Sequence, residues 1–133
     1  MRRRGFTLIE LLIAISVMAI LAAIAIPKFA SMRLRWSLDG AAQQLIGDLN
    51  RARIEALKRN TSVDFDRTGP LGYSIEYLGT RTLPDGVQFT AGPALVIFAA
   101  FGPALTGAAT FTISLGNLTR DVQLTAAGYA HVP

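Results

Sequence analysis

Residues 2–15 read RRRGFTLIELLIAI. Three arginines and a glycine lead into an apolar run that carries a single carboxylate, Glu10, near its start. An ionised group in such a segment costs about 2.5–3.5 kcal/mol at mid-bilayer unless something neutralises it. From Phe6 to Ile26 only Thr7, Glu10 and Ser16 fall outside the apolar and small residues, and Pro27 follows. As a helix, residues 6–27 would be about 33 Å long at 1.5 Å per residue, close to the roughly 30 Å of bilayer hydrocarbon. The arginines before the run place the N-terminus in the cytoplasm by the positive-inside rule, so everything beyond Pro27 is expected to face outward.

Two simpler explanations compete. A basic start, an apolar core and Ala23-Ile24-Ala25 also describe a secretory signal peptide. Against it stand Glu10 inside the apolar core, Gly5 abutting Phe6 at the charge boundary, and a run long enough to span. A generic single-pass anchor explains the length but leaves Glu10 and the Gly-Phe junction without a reason.

The remaining composition narrows the function by exclusion. The chain has 133 residues, room for one modest domain beside a long helix. Without cysteine there is no disulfide framework, thiolate zinc site or cysteine nucleophile, and the single His131 cannot make a histidine metal cluster. The formal charge of +4 includes Arg2, Arg3 and Arg4; without them ten basic residues face nine acidic ones, and no basic patch is indicated.

The stretch RGFTLIELLIAI resembles, without a gap, the class III signal of type IV prepilins and type II secretion pseudopilins: a short basic leader ending in Gly, then Phe-Thr-Leu-Ile-Glu and an apolar helix. That resemblance implies cleavage by a prepilin peptidase between Gly5 and Phe6, N-methylation of Phe6, and an assembly role for Glu10. The physics agrees, because a new cationic amine at Phe6 and a carboxylate one turn along can neutralise each other within or between subunits. Pairing between subunits would favour one axial register. A first-turn carboxylate gains a further 0.3–1 kcal/mol, roughly, from the helix dipole.

Pro27 lacks an N–H and its ring clashes with the Ala23 carbonyl, which reads as a helix stop. The pilin resemblance adds a helix bend there, and the amphipathic pattern beyond favours a continuing helix. Leu38, Ala42, Leu45, Leu49, Ala52 and Ala56 alternate steps of four and three, the stripe of an amphipathic helix. Asp48, Asn50, Arg51, Glu55, Lys58 and Arg59 read as its solvated face, with Arg51–Glu55 and Glu55–Arg59 as i,i+4 pairs. Asn60 is the expected end of a helical segment of roughly 80 Å.

Beyond Asn60 the period becomes two. Val63 and Phe65 alternate with Ser62, Asp64 and Asp66, TGPLG at 68–72 reads as a turn, and Tyr73, Ile75 and Tyr77 follow as the return strand. Further strands are expected at 87–90, 95–101, 110–115 and 121–125. Short strands between Gly and Pro turns, packed on one helix, make an α+β head with an antiparallel sheet or small sandwich.

Residues 45–65 and the ending TFTISLGNLTRDVQLTAAGYAHV are similar to the minor pseudopilin H of type II secretion systems and the FimT-type minor pilins. Ala52, Arg53, Glu55, Ala56, Lys58, Arg59 and Asn60 fit that helix end and read as structural. Some DNA-uptake members carry basic residues after the late Gly, whereas this chain has Gly128, Tyr129, Ala130 and His131, a departure that weakens DNA binding.

Enzyme readings are poor. Asp64 and Asp66 share a strand face, but alternation alone puts two exposed carboxylates there. His131 is expected to be exposed, and Phe98, Phe101 and Phe111 to pack in the core or on the sheet rather than to form a stacking platform for bases. The expectation is therefore a non-enzymatic minor pilin or pseudopilin without a cofactor or metal. Its segments are a cleaved leader at 1–5, a transmembrane and filament-core helix at 6–27, an amphipathic helix at 28–60 and a β head at 61–133. Expected partners are a prepilin peptidase, other pilin or pseudopilin subunits and the inner membrane, with the head in the periplasm before assembly into a type IV pilus or a secretion pseudopilus. DNA or an exported protein at the tip, and a secreted binding protein behind an ordinary signal peptide, are the alternatives.

Overall fold

The structure is a computed structural model and describes residues 7–84 and 86–133. A single helix, α1 (Leu8–Arg59), is followed by eight strands: β1 (Val63–Asp66), β2 (Gly72–Ile75), β3 (Gly79–Thr82), β4 (Gln88–Ala91), β5 (Leu95–Phe98), β6 (Ala109–Leu115), β7 (Leu118–Leu124) and β8 (Ala130–His131). By its contacts the chain divides into two units, Met1–Arg33 and Leu34–Pro133.

In the first unit α1 runs through Pro27 and does not stop there. Proline removes one intrahelical bond, while propagation through the long apolar stretch before it and the helix-forming residues after it is cooperative. The other end of α1 closes with Asn60 at φ 51°. The Thr61 N–H reaches the Ala56 carbonyl at 3.3 Å and the Asn60 N–H reaches Leu57 at 3.4 Å, the pairing of a Schellman cap. Asn60 is thus the helix end that its residue type suggested.

The second unit is built on the stripe read from the sequence. Leu38, Ala41, Ala42, Leu45, Leu49, Ala52 and Ala56 are buried, and the strands pack on them in two antiparallel four-stranded sheets, ordered β3-β2-β1-β5 and β4-β6-β7-β8. Alternation sets the register: Phe65 lies opposite both Ile75 and Val96, and all three are buried. Four rings join the sheets. Phe65 stacks on Tyr73 at 5.0 Å and meets Phe111 edge-on at 5.5 Å, while Phe89 stands 6.1 Å from both Tyr73 and Phe111. Such pairs add about 0.5–1.5 kcal/mol each beyond their area. Gly92, at φ +123°, passes so close to Phe111 that a side chain would sit 2.9 Å from its ring.

Several expectations are corrected. Two strands carry too little pattern to be expected: β3, Gly-Thr-Arg-Thr, has no apolar alternation to reveal it, and β8 has only two residues. The strand expected at 95–101 ends at Phe98, because the chain folds back at Gly102 (φ +95°) and the Ala99 N–H bonds the Pro103 carbonyl at 2.9 Å. Phe101 is therefore on a turn and 77% exposed, not in the core. Tyr77 also leaves its expected strand: it sits at φ 65° in the β2–β3 turn, its ring 4.3 Å from the Arg59 guanidinium. Of the two i,i+4 pairs, Glu55–Arg59 forms at 2.6 Å, whereas Arg51 turns to Asp48 at 3.5 Å. The Arg59 hydrogen bond holds the Glu55 carboxyl below its ordinary range.

The largest correction is Asp48, read as solvated but 3% exposed. It borders the buried stripe, and its burial is tolerable only because its oxygens are met. The Tyr73 hydroxyl donates to it at 2.7 Å, and Arg51 and Arg81 each approach to 3.5 Å. Gln44 braces the group by donating to the Tyr73 oxygen at 3.2 Å and to the Thr82 carbonyl at 3.1 Å. β3 thus serves the core by carrying Arg81 and Thr82. On the opposite flank Arg120 of β7 grips Asp39, with Nε to Oδ1 at 2.8 Å. Asn50 accepts the Ala130 N–H at 3.3 Å, and the Arg53 guanidinium lies 4.1 Å over the Tyr129 ring. Gly128 (φ +84°) lets this C-terminal turn close on Gly102 and Arg53, where a side chain would collide.

Gly40 and Gly47 stand in mid-helix, and a Cβ added at either would meet nothing within 4 Å. Each weakens a helix by about 1 kcal/mol relative to Ala, and no packing among the described residues asks for them.

Replacing Tyr73 by Phe should destabilise the fold by about 1–3 kcal/mol, because it strips Asp48 of its donor while the carboxylate stays buried. Burial first, and then the bond to Asp48, push the Tyr73 hydroxyl above its ordinary value of 10.0. The unfolded chain therefore loses this proton first as pH rises above 10, and the stabilisation is lost progressively towards the raised folded value. Denaturant titrations of the two proteins from pH 8 to 11 should show a shallower alkaline decline in the Phe variant; equal stability and equal slopes would refute the role given to this bond.

Candidate assembly site at the helix N-terminus

Thr7 and Glu10 form the first described feature of the chain. The Thr7 N–H donates to Glu10 Oε2 at 2.9 Å and its hydroxyl donates to the same oxygen at 2.8 Å, while the Glu10 N–H points back to Thr7 Oγ1 at 3.3 Å. With Leu8 as the first helical residue, this is a reciprocal capping box between the N-cap and the third helical position. The Leu11 N–H then takes the Thr7 carbonyl at 3.2 Å and the helix propagates.

The chemistry suits an apolar setting. Ser16, the remaining polar residue before Pro27, donates its hydroxyl to the Leu12 carbonyl at 2.8 Å. Each of the three polar side chains between Thr7 and Ile26 is therefore bonded within the chain, as a medium without water demands. Around them the large apolar residues are uncovered: Leu8 is 82% exposed, Met18 and Ile26 are 68% exposed, and the most apolar 18-residue window has a mean hydropathy of 2.7 with none of it buried. By length and composition this helix can cross a membrane.

Of the residues singled out from the sequence, Gly5 and Phe6 lie outside the described residues. Glu10 is in the first helical turn with an exposed side chain, and Pro27 is inside the helix. Thr7 was missed as its partner, although the Thr-x-x-Glu spacing is the signal of a capping box. The cap uses the Thr7 amide and side chain alone, so cutting the Gly5–Phe6 bond would leave all its atoms in place.

The carboxylates and histidine singled out in the head are not brought together. Asp64 is half-buried and Asp66 exposed on β1, and no cluster of three acidic or histidine side chains that could hold a metal occurs among the described residues. His131 is exposed on β8, opposite Gln123.

Comparison with known proteins agrees with both units. Residues 1–26 match the prokaryotic N-terminal methylation motif, and residues 41–128 match the profile of the type II transport protein GspH. The chain is 36% identical over 95 residues to the pilin-like protein PilA1 of Thermus thermophilus, an alignment that takes in 68% of this chain and spans 60% of the length of that relative. The fold is similar to the type IV minor pilin FimU of Pseudomonas aeruginosa in two crystal forms. The TM-scores are 0.67 and 0.63 at 19% identity, covering 74% and 72% of this chain and 90% and 92% of the FimU chains. With well over half of its 133 residues matched by one profile, and the methylation motif at its start, the chain belongs to the GspH family of pilin-like proteins.

Proposed function

We propose that this protein is a minor pilin or pseudopilin: a structural subunit that is cut between Gly5 and Phe6 by a prepilin peptidase, methylated on Phe6, held in the inner membrane with its head in the periplasm, and drawn through its N-terminal helix into a filament. The observation that carries this reading is the uncovered apolar helix with one capped carboxylate at its head. A helix of that kind needs either lipid or other helices around it, and Glu10 is the charge that such a transfer must accommodate. In the membrane Thr7 satisfies one Glu10 oxygen. In a filament the same carboxylate accepts the Phe6 amine of a neighbour, and two opposite charges in an apolar surround fix the axial register. Pro27 marks where the helix would bend or melt as the subunit leaves the bilayer.

Membership in the GspH family supports a type II secretion pseudopilus, while the likeness to PilA1 and FimU supports a type IV pilus. DNA or an exported protein at the tip has less behind it, since Tyr129, Ala130 and His131 stand where a basic cluster would be expected.

Two variants separate the roles of Glu10. Glu10→Gln keeps a side chain able to complete the capping box but removes the charge, whereas Glu10→Ala removes both. Both should insert into the membrane normally, and both should be depleted from sheared filaments at least tenfold. Incorporation of the Gln variant at the level of the unsubstituted protein would show that the cap, and not the charge, is what assembly needs. Replacing Gly5 by Leu should leave the precursor uncut; a mature-length band from that variant on a gel would exclude the assigned cleavage site.

A further inference from the structure

Between Glu10 and Asp39 the sequence has three basic residues, Lys28, Arg33 and Arg35, and no acidic one. Asp39 is itself taken by Arg120. Lys28 and Arg33 belong to the first unit, just past the apolar run; both are exposed, and neither has an acidic partner among the described residues. At about 100° per residue, Lys28, Met32, Phe29 and Arg33 follow one another around a single arc of α1. Phe29 is 64% and Met32 44% exposed. The arc thus sets two uncovered apolar side chains between two unpaired cations. It begins about 3 Å and ends about 10 Å beyond Ile26 at 1.5 Å per residue, a span that overlaps a headgroup layer of roughly 5–7 Å.

We propose that Lys28, Phe29, Met32 and Arg33 form a collar that binds the phosphate groups of anionic phospholipids in the periplasmic leaflet of the inner membrane. The inference rests on the membrane reading above and names the lipid class that the outer end of the helix selects. Charge is the first argument, since two cations without a carboxylate in reach call for an anion. The second is the apolar pair between them, which a free phosphate leaves uncovered and an acyl chain covers, while the long Lys and Arg stems lie along that surface with their heads at the phosphates. The third is the direction of the charge. Once the leader is cut, the inner end of the helix keeps only the Phe6 amine and Glu10, so cations at the outer end run against the usual inside bias. An anionic leaflet compensates them.

Trp36 is the only tryptophan, so the full-length protein with Phe29→Trp and Trp36→Phe carries a single indole inside the arc. In vesicles of equal parts phosphatidylcholine and phosphatidylglycerol, bromine on the phosphatidylglycerol acyl chains should quench that indole at least twofold more than bromine on the phosphatidylcholine. Adding Lys28→Gln and Arg33→Gln should bring the ratio to one, and the charge-preserving pair Lys28→Arg and Arg33→Lys should keep it. Equal quenching by the two lipids, a preference that survives the Gln pair, or one lost in the charge-preserving pair overturns the collar and leaves the membrane reading standing. A preference abolished by inorganic phosphate at constant ionic strength would assign the cations to the free anion and overturn the headgroup. An indole quenched by neither lipid would overturn the membrane reading as well.

Discussion

The protein is shaped by an unmet demand: a stretch of helix whose apolar side chains nothing in its own chain covers. In water such a segment would aggregate, since burial of apolar area is the dominant favourable term in association. Lipid or other helices are the surrounds that would meet that demand. Everything polar in that stretch is arranged to permit both. Ser16 bonds back to its own helix, and Thr7 takes up the Glu10 carboxylate. Under the proposed assembly, a carboxylate that exchanges its hydroxyl and amide partners for a neighbour's amine is compatible with either surround, and a permanently unpaired one with neither.

The head answers a different problem, that of fastening two sheets to one helix. Its buried stripe is rich in alanine, with Ala41, Ala42, Ala52 and Ala56, so the sheets approach closely and the volume is supplied from the strand side by Phe65, Tyr73, Phe89 and Phe111. Polar contacts then fix the sheets at both flanks. Asp48 with Tyr73 and Arg81 holds the β2–β3 side, while Arg120–Asp39 and Asn50–Ala130 hold β7 and β8. A burial that would be costly for a lone carboxylate becomes a tie between helix and sheet because a hydroxyl donor from β2 and a cation from β3 converge on it.

What could be read directly from the residues was whatever is written as a period. The 4,3 spacing from Leu38 to Ala56 gave the buried helix face, Val63 and Phe65 against Ile75 gave the first hairpin, and the Gly-Phe-Thr-Leu-Ile-Glu junction led to the family. What could not be read depended on partners distant in the chain. Asp48 is indistinguishable from its solvated neighbours until Tyr73 and Arg81 are folded against it. Arg81 in turn sits on a strand without apolar alternation, so β3 exists because β2 and Gln44 bind it. Phe101 looks like core by its type alone, and the turn at Gly102 decides otherwise. Thr7 is the exception, since its spacing from Glu10 is legible as a cap but is overshadowed by the charge beside it.

The most direct measurement is intact-mass and N-terminal analysis of the native protein recovered from both the membrane and sheared filaments. A mature chain beginning at N-methylated Phe6 in both fractions, with the apolar helix retained, is what the account requires. A chain that still starts at Met1, or one that begins near Ile26 and has lost the helix altogether, would contradict it.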